Sequence, residues 1–78
     1  MTILTPAQCR AARGILRWNQ EKLAEAAQVG VATIRLFENE QTEPRRATLS
    51  AIRQALENAN IEFTSEEGAL PGVRPKKM

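Results

Sequence analysis

The 78-residue chain has no histidine, no aspartate and no tyrosine, a single cysteine, and only three aromatic residues, Trp18, Phe37 and Phe63. Each absence removes a class of function. With no histidine, and with Cys9 as the lone thiol, there is no nitrogen and sulfur ligand set for a transition metal. Cys9 also has no partner for an internal disulfide, so it reads as a small buried hydrophobe in a reducing, cytoplasmic setting. An enzyme would have to draw on glutamate, lysine, serine, threonine and that one thiol. No nucleophile is spaced beside a base, so neither enzymatic activity nor a cofactor is expected. Three aromatics are too few for a platform that stacks single-stranded bases. The chain has no signal peptide and no long apolar run, and no membrane partner is expected.

What remains is one small domain. A chain of this size buries only about 60% of its unfolded surface, so it is marginal alone and gains from dimerisation. The net charge of +2 matters less than its placement. Residues 1–73 carry eight Lys and Arg against nine Glu, a balance of −1, and Arg74, Lys76 and Lys77 then add +3. The globular part is not a basic block, so any nucleic-acid binding must rest on local clusters or the tail.

Helix signals follow in order. Thr5-Pro6 supplies an N-cap and a proline for the first helical position. Cys9, Ala12, Arg13 and Leu16 then recur on one face. Arg13 is the odd member, a charge on an apolar stripe. Asn19 caps "QEKLAEAA", with Glu21 in the first turn where negative charge suits the helix dipole, and Trp18 is placed to staple against Leu23. Leu23, Ala24 and Ala27 form a narrow apolar stripe. A third helix starts after Gly30, turns Ile34 and Phe37 inward and ends near Glu38-Asn39. The loop "NEQTEPRRA" leads to a fourth helix over roughly 46–58, with Leu49, Ile52, Ala55 and Leu56 on its inner face.

From residue 61 the period changes. Ile61, Phe63 and Ser65 alternate with Glu62 and Thr64, and "ALPGVRPKKM" returns as a second short strand through Val73, with Pro75 expected to end the pairing. A lone hairpin is marginal in water, so Ile61, Phe63, Leu70 and Val73 are expected to serve dimerisation across a two-fold axis.

Two short helices joined by three or four residues suggest a helix-turn-helix, in which the second helix enters the major groove. At these residues, "RWNQEKLAEAAQVGVATIRLFENE", the chain resembles the phage-repressor-like (Xre/Cro/C1) helix-turn-helix regulators. Asn19-Gln20, Leu23-Ala24, Val29, Ile34 and Phe37-Glu38 sit at that family's spacing, over about residues 7–57. The resemblance implies an all-α, lambda-repressor-like bundle of four helices with a short C-terminal β-hairpin or extended segment. It divides the chain into a helix-turn-helix DNA-binding domain, 1–60, and a dimerising segment with a basic tail, 61–78. It implies that Gln20 lies between backbone and bases, and that Asn19 and Asn39 contact phosphate. Val31, Ala32, Arg35 and Leu36 would form the outward recognition face. Arg13 and Glu38 would form an internal salt bridge, and Arg45 and Arg46 would sit near the DNA backbone. Positions 28 and 40, commonly glycine in that family, hold Gln28 and Glu40 here.

The implied function is a sequence-specific regulator, repressor or autoregulator, that binds an inverted repeat in double-stranded DNA as a homodimer. Such a protein is cytoplasmic and nucleoid-associated when bound. Val31, Ala32 and Leu36 would favour thymine, whose methyl group lines the major groove, while Thr33 and Arg35 supply hydrogen bonds. The alternative is the same fold used to bind another regulatory protein, as an antitoxin, antiactivator or regulator cofactor with weakened DNA reading. An apolar recognition face beside Glu40 and Glu43 suits a protein groove.

Overall fold

The computed structural model describes residues 3–64 and 72–76. Four helices are followed by two strands: α1 (Pro6–Leu16), α2 (Gln20–Ala27), α3 (Val31–Glu38), α4 (Arg46–Asn58), β1 (Ile61–Thr64) and β2 (Gly72–Pro75). The helix starts are chemical. The Thr5 hydroxyl accepts from the Gln8 N–H at 3.0 Å, and the Gln8 side chain accepts from the Thr5 N–H at 2.9 Å, a complete capping box with proline in the first turn. Asn19 caps α2 by accepting the Lys22 N–H at 2.7 Å. Gly30 and Arg45 open α3 and α4 without a side-chain cap.

The helix ends share one device. Arg17, Gln28, Glu40 and Asn60 all adopt a left-handed backbone, with φ of 58°, 58°, 59° and 71°. After α1, Trp18 N–H reaches Arg13 C=O and Arg17 N–H reaches Gly14 C=O; after α2, Val29 reaches Ala24 and Gln28 reaches Glu25; after α3, Gln41 reaches Leu36 and Glu40 reaches Phe37. These are Schellman closures, which usually place glycine at the left-handed position. Gln28 and Glu40 thus take the conformation that their positions demand, at a cost of roughly 1 kcal/mol each.

The core is one cluster in which Cys9, Ala12, Leu23, Ile34, Ile52 and Leu56 are all but inaccessible to solvent. Leu4, just before the α1 cap, joins it at 1% exposure, an anchor that the helical periodicity does not reveal. Arg53 of α4 ties three segments together. Its guanidinium donates to the Ile3 carbonyl at 2.7 Å, stacks 4.7 Å from the centre of the Phe63 ring and pairs with Glu57. Across the fold, Gln8 Nε2 donates to the Gly72 carbonyl at 3.2 Å and fastens β2 to α1.

β1 and β2 pair antiparallel, with Ile61 opposite Pro75, Glu62 opposite Arg74, Phe63 opposite Val73 and Thr64 opposite Gly72. Pro75 is therefore the last paired residue of β2, inside the ladder and not just beyond it. The reason is register: Lys76 N–H donates to the Asn60 carbonyl, so the alternation of bonded and non-bonded pairs leaves Ile61–Pro75 in a non-bonded position. An N–H there would point away from β1, and proline loses nothing by lacking it. A Cβ at Gly72 would come within 2.8 Å of the Thr64 hydroxyl, so a larger residue there requires the Thr64 side chain to move. Arg74 pairs with Glu62 at 2.6 Å, so one cation of the basic tail is engaged within the sheet. Ser65 and Leu70, like Lys77, lie outside the described residues.

Gln28→Gly and Glu40→Gly should each raise stability by roughly 1 kcal/mol by relieving the left-handed strain. Gly14→Ala should raise it by a similar amount, because a Cβ at that exposed helical position meets no atom within 4 Å. Urea unfolding should show a higher midpoint at an unchanged slope for all three.

Candidate nucleic-acid interface

The geometry of α3 is set by its buried side. Ile34 and Phe37 are 0% and 4% exposed, and the last residue, Glu38, is 2% exposed despite its charge. Its carboxylate accepts four hydrogen bonds. Arg13 binds it in a fork, Nε to Oε2 at 2.7 Å and Nη2 to Oε1 at 2.6 Å. Gln20 Nε2 donates to Oε1 at 3.0 Å, and the Cys9 thiol donates to Oε2 at 3.1 Å. The Glu38 main-chain carbonyl accepts from Arg10, and Arg13 Nη1 reaches the Trp18 carbonyl at 3.0 Å. A single carboxylate thus joins α1, α2 and α3.

Ionisation follows this arrangement. Burial alone would raise the Glu38 pKa, but the hydrogen bonds from Arg13, Gln20 and Cys9 outweigh it and hold the carboxyl below its usual value. The hydrogen bond to Glu38 raises the Arg13 pKa against the opposing effect of burial. Burial, then the Glu38 hydrogen bond, push the Cys9 thiol far above the ordinary range, so it stays protonated and serves as a donor.

With the inner side fixed, the outer side of α3 is determined. Val31, Ala32 and Arg35 are exposed, and Val31 at 38% is one of two large apolar side chains exposed to that degree among the described residues, the other being Ile15. Thr33 and Leu36 are only half-buried. Leu36, expected to face outward, is half-buried, although at about 100° per residue it stands nearly opposite Ile34 on the helix. Of the three apolar positions, Val31 and Ala32 are the more exposed.

The remaining expected residues fall into two groups. Arg35, Arg45, Arg46 and Asn39 are exposed, and the three arginines form no ion pair among the described residues. Asn19 and Gln20 already have structural work: Asn19 Oδ1 caps α2, and the half-buried Gln20 amide is held by Glu38. Each keeps spare hydrogen-bonding capacity, but neither can reorient without breaking the bond it already makes. Of the hairpin residues, Ile61 is 2% exposed and belongs to the protomer's own core, while Phe63 and Val73 are half-buried against it.

Sequence reasoning missed Cys9 and Arg10 as Glu38 donors. The available signal was spacing, since Cys9 and Arg13 are four residues apart and therefore reach the same point from one helix face. Among the described residues no group of acidic or thiol side chains could hold a metal ion, and no helix is long and apolar enough to cross a membrane.

A family model for a helix-turn-helix matches residues 10–59, the span from α1 to just past α4. No curated protein matches the chain.

Arg13→Met should cost about 3–5 kcal/mol, because it strands a buried carboxylate. A depressed folded pKa contributes stability that is present above the unfolded value and is lost as pH falls through the folded one. Wild type should therefore lose melting temperature on acidification below the ordinary carboxylate range, and Glu38→Gln should flatten that loss. Cys9 should resist iodoacetamide in the native protein and react at the unfolded rate in denaturant.

Proposed function

The chain belongs to the phage-repressor-like (Xre/Cro/C1-type) helix-turn-helix family of DNA-binding regulators, and we propose that it acts as a homodimeric repressor or autoregulator on an inverted-repeat operator. The observation that carries this reading is the division of α3. One side is locked by Ile34, Phe37 and the saturated Glu38, while Ala32 and Arg35 away from it, and Val31 at the helix start, are open to solvent. A recognition helix needs both a fixed roll and a free face.

In this reading α3 enters the major groove and Arg35 reaches guanine or phosphate. Arg45 and Arg46, at the uncapped start of α4, add phosphate contacts together with its unsatisfied N–H groups. Asn19 and Asn39 contribute polar contacts at the rim. Gln20 acts from a fixed position because Glu38 holds its amide. Two such helices would address half-sites about 34 Å apart.

Dimerisation through the hairpin is supported by the outer edge of β1, which no strand among the described residues pairs with. In the observed register the N–H and C=O groups of Ile61 and Phe63 point away from β2, so β1 can accept a strand from a second copy. Pro75 blunts the opposite edge. Leu70 belongs to the same proposal but lies outside the described residues.

A second reading, protein binding as an antitoxin, antiactivator or regulator cofactor, is favoured by one feature. A cleft of about 480 Å³ lies between the start of α1 and the loop after α3, with Leu4, Pro6, Phe37 and Leu49 beneath and Glu40 and Glu43 at its lining. Its acidic character repels phosphate and suits a cationic protein segment.

Salt dependence separates the two. Three arginines per protomer, six in a dimer, predict a slope of log affinity against log salt of about −5, and the Arg35/Arg45/Arg46 triple alanine variant should abolish most of it. Absence of DNA retention even at low salt would favour the protein-binding reading. Sedimentation equilibrium should show a dimer, and a monomer at high concentration would exclude the hairpin pairing.

A further inference from the structure

We infer that Val31 and Ala32 read the C5 methyl group of pyrimidines, so that 5-methylcytosine can stand in for thymine in the operator and cytosine methylation becomes an input to binding. The inference rests on the DNA-reading function proposed above. Its basis is the chemistry of the first turn of α3, the part of a recognition helix that meets base edges. Gly30, the N-cap, has no side chain. Val31 and Ala32, both exposed, carry neither donor nor acceptor, and Thr33 is half-buried. The first fully exposed side chain able to hydrogen-bond is Arg35, a turn later.

Such a surface can distinguish only one feature of the major groove. Guanine, adenine and cytosine present polar edges there, and thymine alone adds an apolar group, the methyl at C5. A valine pressed against a polar edge would desolvate it without replacing its water, which disfavours those bases. A methyl group on cytosine C5 occupies the same ring position and projects into the same groove. To Val31 and Ala32 the two methylated pyrimidines are alike, although their polar edges differ. Val31, 38% exposed, and Ala32 stand in the first turn, which meets base edges, whereas Leu36 is half-buried and lies a turn further on.

The size of the effect follows from burying one methyl group, about fourfold in affinity per contact and about 15-fold for a site with two half-sites. The test starts from duplexes enriched by the full-length protein from a random-sequence pool. Each thymine is then replaced by uracil, which removes the methyl alone. In parallel, the same base pairs are changed to C·G and to 5-methylcytosine·G, two duplexes that differ only in the methyl.

Uracil should weaken binding about fourfold at one position per half-site, and 5-methylcytosine should bind about fourfold better than cytosine there. Val31→Ala, folded as judged by circular dichroism, should bind more weakly and lose most of its sensitivity to uracil. Binding of the enriched duplex that is indifferent to uracil everywhere would overturn the inference while leaving the DNA-reading function intact. So would a uracil effect undiminished in Val31→Ala. Failure to enrich any duplex would defeat both.

Discussion

The Glu38 carboxylate is the constraint on which the rest of the structure depends. An ionised carboxylate has about four lone-pair sites, and here two go to the Arg13 fork, one to Gln20 and one to Cys9. No water is needed to complete it, and no buried polar side-chain atom is left without a partner among the described residues. Apolar packing alone tolerates small slips and rotations, whereas four directional bonds from two other helices do not. Because Glu38 closes α3 and must face inward, Ile34 four residues earlier faces inward too, and Ala32 and Arg35 are left outside, while Val31 is exposed at the open start of the helix. A buried ion pair is a poor source of net stability compared with a well-packed apolar cluster. Its contribution here is orientation, fixing the roll of α3 against α1 and α2.

The helix ends tell a complementary story. Three Schellman closures turn the chain sharply after α1, α2 and α3, and each stands on a side chain where glycine would be cheapest. In a domain this small, with little core to spare, roughly 1 kcal/mol at each such end is a sizeable share of the total. The closures survive because their neighbours are anchored. Trp18 is packed against the core and its carbonyl is held by Arg13, and Val29 is packed against the core where it meets the last turn of α2. The polar anchor and the strained turns are parts of one arrangement, in which fixed helix axes make tight left-handed corners unavoidable.

Most of the fold was legible in local chemistry. Thr5-Pro6 and Asn19 announced α1 and α2, and the apolar spacing of Leu49, Ile52, Ala55 and Leu56 announced α4. The Arg13–Glu38 pair came from family resemblance, with only Arg13's place on an apolar face as an independent sign. Other features were not legible because they depend on three-dimensional proximity. Cys9 reads as a small hydrophobe until a carboxylate from 29 residues away is set against it. Leu36 stands on the outward side of α3 by spacing, and the structure leaves it half-buried with nothing in local periodicity to announce it. Pro75 ends β2 as a paired residue and not as the first one beyond it, because its pair with Ile61 is not hydrogen-bonded, and only the register reveals that. Leu4 precedes the helix and has no periodicity to betray it.

The candidate interface was legible to the same depth and for the same reason. Arg35, Arg45 and Arg46 are exposed as expected, but Gln20 is both an interface candidate and a Glu38 donor. That double engagement has a consequence. A side chain free to rotate loses entropy on ordering, whereas an amide already held by a buried carboxylate has largely lost it on folding. Under the proposed function the near-neutral globular part supplies little general attraction to DNA, so affinity must come from a few well-placed groups. Preorganisation of those groups by the Glu38 network is then what allows a small face, Val31, Ala32 and one arginine, to discriminate among base sequences. The saturated carboxylate inside the protein and the sparse chemistry of the outer face are linked, because a reading surface with so few contacts works only if each is held in place.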